Sequence, residues 1–150
     1  MLFLIVKYVH ILSAIVAVGL NISYAIWILR AQREPAHTGF ALKGIKFLDD
    51  RIANPAYGVL LVTGLLMVFI AGYSLTTLWI AIALVLFVLL IAVAVVFYTP
   101  TLREQVKLVE SGDMASAEFT RLAKRGQLTG QALGAIVLVI LAMMVFKPTL

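Results

Sequence analysis

The chain has 150 residues, 63% of them hydrophobic and 13% charged, with a mean hydropathy of +1.09. That excludes an ordinary soluble domain, in which about half the residues are apolar and about a quarter charged, and one small membrane bundle uses up the length. The absence of cysteine excludes disulfides, thiolate metal sites and thiol redox chemistry; the net charge of +5 lies in blocks between long apolar runs and reads as a topology signal, not a nucleic-acid surface.

A span needs about 20 mostly apolar residues. The first covers 2–29, and its only basic side chains are Lys7 and His10 in "KYVHIL". At about 100° per residue, Lys7, His10, Ser13, Ala14, Ala17, Asn21 and Tyr24 share roughly a third of the circumference. Hydrocarbon offers no hydrogen-bond partner, so this stripe is expected to face protein, with Leu4, Val16, Leu20 and Trp27 toward lipid. His10 then lies about 12 Å below the start of the helix. Lys7, one turn nearer the surface, can snorkel to the headgroups as an interfacial anchor. Three readings of His10 stand together: a neutral imidazole bonded to Tyr57, a glutamine or a carbonyl; a haem ligand; or a group handling protons or metal.

The first loop carries Arg30, Arg33, Lys43, Lys46 and Arg51. His37 there reads as solvated. Leu42, Ile45, Leu48 and Ile52 form an apolar stripe, expected either to lie on the membrane surface or to pack on the bundle. In "LDDR", Asp49, Asp50 and Arg51 form the densest charge cluster, read as an ion-pair lock to the basic hairpin further on or as a partner-docking patch. The second span covers 55–72, with Asn54 as a cap and Pro55 at the first helical position. Tyr57, Gly58 and Gly64 lie toward one side of it, and Met67 sits at a depth similar to His10.

The uncharged connection "YSLT" leads to a third span at 77–98 without a single charge. In "TLREQVKLVE", Thr101 and Glu104 offer a capping box, with Pro100 expected as a kink. "SGD" at 111–113 is a turn signal, after which Glu118 and Arg121 resume a helical pattern. The fourth span covers 128–147. Gly126, Gly130 and Gly134 form a small-residue packing face, flanked by Gln127 and Gln131. Met144 lies closer to that face than Met143. Met144 and Met67 are therefore the candidate second ligands to a haem held by His10, and a His10/His10 pair across a dimer is another route.

Ten of the twelve basic residues flank the same ends of the spans, so the two long loops are expected in the cytoplasm and both termini outside. The start lacks a basic n-region and positive charge follows the first span, which argues for a retained helix over a cleaved signal peptide.

"LIVKYVHILSAIVAVG", "LDDRIANPAYGVLLVTGL" and the closing "MMVFKP" resemble a family of small bacterial integral membrane proteins with four spans, a domain of unknown function. The resemblance covers essentially the whole chain. The opening K-x-x-H-I-L is also similar to the first helix of copper-resistance D type membrane proteins and of HemJ-type protoporphyrinogen oxidases. The second likeness implies a haem b site on the first-helix histidine, which His10 matches. It also implies a lysine in a later span, which the third helix lacks, so the likeness does not carry the oxidase activity. The copper likeness implies copper passage or sensing, with His10 and the methionines as ligands.

The sequence thus reads as an all-α membrane protein, an antiparallel four-helix transmembrane bundle forming one domain over 1–150, with helices three and four overhanging on the cytoplasmic side. The expected place is the bacterial inner membrane. The expected role is haem b binding through His10 as an electron-transfer or accessory component, not stand-alone catalysis. Rival readings are a cofactor-free structural subunit and a copper or haem-precursor handling protein. Partners are the lipid bilayer and a second copy or larger membrane complex, with no nucleic acid.

Overall fold

A computed structural model describes residues 1–148, and no strand occurs among them. Helix α1 spans Leu2–Arg33, a 3-10 turn at Pro35–His37 leads to α2, Thr38–Leu48, and a wide π-turn at Asp49–Ala53 runs on into α3, Asn54–Ala71. Helix α4, Leu78–Val93, passes through a second π-turn, Ala94–Tyr98, into α5, Thr99–Glu110, and α6 occupies Ala117–Phe146. Four helical runs are long and apolar enough to cross a membrane. The run Leu78–Glu110 has 33 residues, so it is about 50 Å long against a hydrocarbon core of about 30 Å. It therefore overhangs, at the end of the bundle that carries the charged loops.

Each helix end has a local cause. Arg30 and Arg33 occupy the last turn of α1, where cations favour the helix dipole, and Pro35 bars continuation. Gly72 and Gly112 adopt φ of 70° and 79°, which a residue with a Cβ resists. In both cases the next residue donates its N–H back across the turn, Tyr73 to the Val68 carbonyl at 3.0 Å and Asp113 to the Leu108 carbonyl at 2.8 Å. The "SGD" turn thus lies where the sequence places it. Ser116 caps α6 by accepting from the Phe119 N–H at 3.1 Å.

Two expected caps are corrected. Asn54 does not begin a helix: the backbone is already helical through Ala53, and the Asn54 side chain reaches back to Asp49. Thr101 is no cap either, being buried inside a continuous helix with its hydroxyl donating to the Phe97 carbonyl at 2.7 Å. The reason is shared. Each π-turn ends two residues before a proline, Ala53 before Pro55 and Tyr98 before Pro100. Proline has no N–H to give, and its ring crowds the carbonyl four residues back. Widening the preceding turn takes up both defects without ending the helix.

Helix α1 pairs with α3, and α4 with α6, while α2 crosses to α5 at the charged end and α1 touches α6. Helices α3 and α4 make no close backbone approach; side chains join them, with Tyr57 and Phe87 edge to face at 6.2 Å. The main buried cluster includes Tyr24, Leu42, Ile45, Leu90, Tyr98 and Leu102. Ile45, 1% exposed, sits at its centre, whereas Ile52 is 41% exposed. The amphipathic helix of the first loop therefore packs on the bundle through Leu42 and Ile45. Leu20, expected toward lipid, is partly buried against the same cluster. The buried positions of α1 are Ala17, Tyr24 and Ala31, one every seven residues, and they continue the line of His10. Of the polar stripe, Ala17 and Tyr24 are buried and His10, Ser13, Ala14 and Asn21 half-buried, while Lys7 is exposed.

A Cβ built on Gly39 of α2 would stand 2.7 Å from Val109 Cγ1 of α5. Gly39→Ala should lower the thermal midpoint in detergent, because overpacking costs about 1–3 kcal/mol. In a Val109→Ala background the same change should be neutral or stabilising by up to about 1 kcal/mol, the helix propensity of alanine over glycine. An identical effect in both backgrounds would rule out this contact.

Candidate functional site

The ring of His10 lies against α3. Its Nδ1 is 2.9 Å from the Thr63 hydroxyl oxygen, and Thr63 is buried. The Thr63 hydroxyl donates to the Val59 carbonyl one turn back, at 2.6 Å. That uses its one proton, so its oxygen accepts from His10 Nδ1–H. In the neutral ring that proton leaves the lone pair on Nε2, and Nε2 has no hydrogen bond among the described residues. Gly64 lets the ring lie close: a Cβ there would sit 3.2 Å from His10 Cε1. The arrangement is a histidine aimed by a second residue with its other nitrogen open, which is how proteins prepare an imidazole to ligate.

Of the candidate second ligands, Met67 is half-buried on α3, one turn beyond Thr63, and Met144 is half-buried on α6. No bond joins either to His10 among the described residues. Lys7 is exposed and unpaired there, at the end where Lys147 stacks its ammonium 5.3 Å above the Trp79 ring. Ser13 is half-buried without a side-chain hydrogen bond.

Further along the stripe, Asn21 donates to the Tyr57 hydroxyl at 2.5 Å and to the Ala17 carbonyl at 2.9 Å. The sequence offers Tyr57 as a partner for His10; Asn21 takes it instead. Tyr24, 4% exposed, has a hydroxyl with no partner among the described residues. Asp49 lies within electrostatic reach of Tyr24, Tyr57 and Tyr98. It precedes the apolar stretch Asn54–Ala71, outside the span. It is 8% exposed, and its one side-chain hydrogen bond among the described residues is a long one, 3.5 Å from Asn54 Nδ2. Burial, and then the neighbouring Asp50 carboxylate, push its pKa up to about 6.

The lock expected of "LDDR" forms differently. Asp50 pairs with Lys46 of its own helix, Asp49 turns inward, and Arg51 is exposed. The ion pair that crosses to the hairpin is Lys43–Glu110 at 3.3 Å. His37 is exposed beside Glu34 at 3.3 Å. On α6, Gly126 faces Gln105 and Thr101, Gly130 faces the Tyr98 ring, and Gly134 meets nothing within 4 Å. Gln127 and Gln131 are exposed and make no side-chain hydrogen bond among the described residues.

Thr63 is the residue that sequence reasoning missed. Its signal was present: it is the one hydroxyl in "GVLLVTGLLMVFIAG", and glycine follows it. The inward turn of Asp49 had no such signal, since Asp49 and Asp50 differ only in which face of the helix they occupy.

Together these features define a class: a four-span helical membrane protein with polar pairs between its spans and one oriented histidine. The chain belongs to the family described as predicted integral membrane protein (DUF2269), which it matches over residues 4–148. No curated protein matches it, and no solved structure does.

A carboxyl that holds its proton more tightly folded than unfolded makes the folded state lose stability as pH rises from about 4 to about 6. The wild-type thermal midpoint should fall over that window relative to Asp49→Asn, which has nothing to titrate there. Parallel pH profiles for the two proteins would contradict the burial of Asp49.

Proposed function

We propose that this protein holds a b-type haem through His10 Nε2 and serves as an electron-transfer or accessory component of the bacterial inner membrane. The observation that carries the reading is the Thr63–His10 bond, which fixes the ring and leaves Nε2 without a hydrogen bond among the described residues. The residues fit the group in donor chemistry: a neutral imidazole, oriented from behind, with a glycine beside it that leaves the ring its place. His10 would ligate, Thr63 would hold the tautomer, and Met67, Met144 or the His10 of a second copy would close the opposite face. Haem b so held would supply one-electron redox chemistry.

For placement, ten basic residues at one end of the spans support a cytoplasmic location for that end and an external one for both termini.

Two measurements test these readings. Purified protein should show a Soret band, with sharp α and β bands on reduction, and lose them in His10→Ala. Thr63→Val should weaken haem affinity about 10- to 100-fold, the usual cost of removing a residue that orients a ligand. A preparation that stays colourless after haem is added would overturn the proposal in favour of a cofactor-free subunit. Separately, a reporter fused at Ser111 should behave as internal and one at the C-terminus as external; the reverse pattern would overturn the placement.

A further inference from the structure

At the charged end of the bundle, far along α1 from His10, a half-enclosed cavity of about 190 Å³ lies between α1, α2, α5 and α6. Its floor is buried and mostly apolar, with Ala31, Leu42, Leu102 and Gly126 among its residues. Its mouth is formed by the exposed residues Gln32, Pro35 and Gln127, where the apolar spans give way to the charged loops. No charged side chain lines it.

Gln105 lines this cavity, is 7% exposed, and makes no side-chain hydrogen bond among the described residues. Unlike the Tyr24 hydroxyl, this amide is not sealed off and meets the open space of the cavity. The chain makes room for it: a Cβ on Gly126 would stand 3.3 Å from Gln105 Oε1 and 3.6 Å from Thr101 Cγ2. Tyr98 also lines the cavity. Gln32 and Gln127 add two more neutral amides at the mouth.

We propose that this cavity binds a neutral, flat ring carrying carbonyl or hydroxyl oxygens, which Gln105 hydrogen-bonds. An apolar cavity of about 150 Å³ takes benzene, so this one has space for a single ring with small substituents, and any tail must leave by the mouth. A charged ligand would be stripped of water against a wall without a counter-charge. A purely apolar ligand would leave Gln105 unsatisfied. An amide both donates and accepts, so it suits carbonyl and hydroxyl oxygens alike. The proposal concerns binding only and does not depend on the role of His10.

The ring can arrive from the bilayer on a hydrocarbon tail or from the aqueous side without one. The test uses the full chain and two probes, 2,3-dimethoxy-5-methyl-1,4-benzoquinone and its 6-decyl derivative. Binding of the first is measured by titration calorimetry in detergent, and of both by thermal shift in nanodiscs. Saturable binding, weakened about tenfold by Gln105→Leu and abolished by filling the cavity with Ala123→Phe, is the expected result. Should Ala123→Phe fail to fold, Gln105→Leu alone decides. Much tighter binding of the decyl form assigns the ring to the bilayer, and equal binding to the aqueous side; either supports the site. No saturable binding of either probe, or binding unchanged by Gln105→Leu, would overturn it.

Discussion

Hydrocarbon gives a buried polar group nothing to bond with, so polar side chains carried into a span are driven toward partners within the protein, on their own helix or on another. Much of this fold depends on that constraint. Helix α1 is apolar on nearly every side, and hydrophobicity alone cannot fix its rotation. The bonds His10–Thr63 and Asn21–Tyr57 do so, because each is made at only one rotation of α1 against α3. They also set the direction: moving down α1 from His10 to Asn21 moves back along α3 from Thr63 to Tyr57, so the two helices run antiparallel. With that pair in place, Ala17, Tyr24 and Ala31 fall on the inner line, and Tyr24 joins the cluster that α2, α4 and α6 complete.

The same constraint explains what was legible in the sequence and what was not. Apolar length gave the four spans, and polarity gave the inner face of α1, since both are properties of one segment at a time. The Schellman turns at Gly72 and Gly112 were equally local. Thr63 was harder, because choosing it over Tyr57 requires the register between two helices, and α3 has too little polarity to announce one. The caps at Asn54 and Thr101 failed for a different reason. Asparagine before proline reads as a helix start, and Thr-x-x-Glu as a capping box, but the π-turns that let the helix run on past Pro55 and Pro100 are a response of the whole backbone, not of the motif.

Asp49 and Gln105 show the opposite case, polar groups whose burial no local pattern foretells. Each sits at the charged end, where α2 folds across α5 and closes over side chains that would otherwise meet water. Gly39 permits that crossing, because a side chain there would strike Val109. The helix read as a possible surface-lying segment is therefore the lid of the bundle. Its packing creates the cavity and the buried carboxyl together.

The two candidate sites thus arise from one economy of polar groups handled in two ways. In the middle of the spans the polar side chains meet in pairs: His10 with Thr63 and Asn21 with Tyr57, with His10 Nε2 making no hydrogen bond among the described residues. At the charged end the Tyr24 hydroxyl is buried without a partner among the described residues, and Gln105 lines the cavity with no side-chain hydrogen bond there. An unpaired group persists in a fold when removing it would lose something else. On the readings proposed above, Nε2 would be kept as a ligand's lone pair, and Gln105, whose apolar replacement would pack that floor at no cost in hydrogen bonds, for the capacity to hold a neutral oxygen.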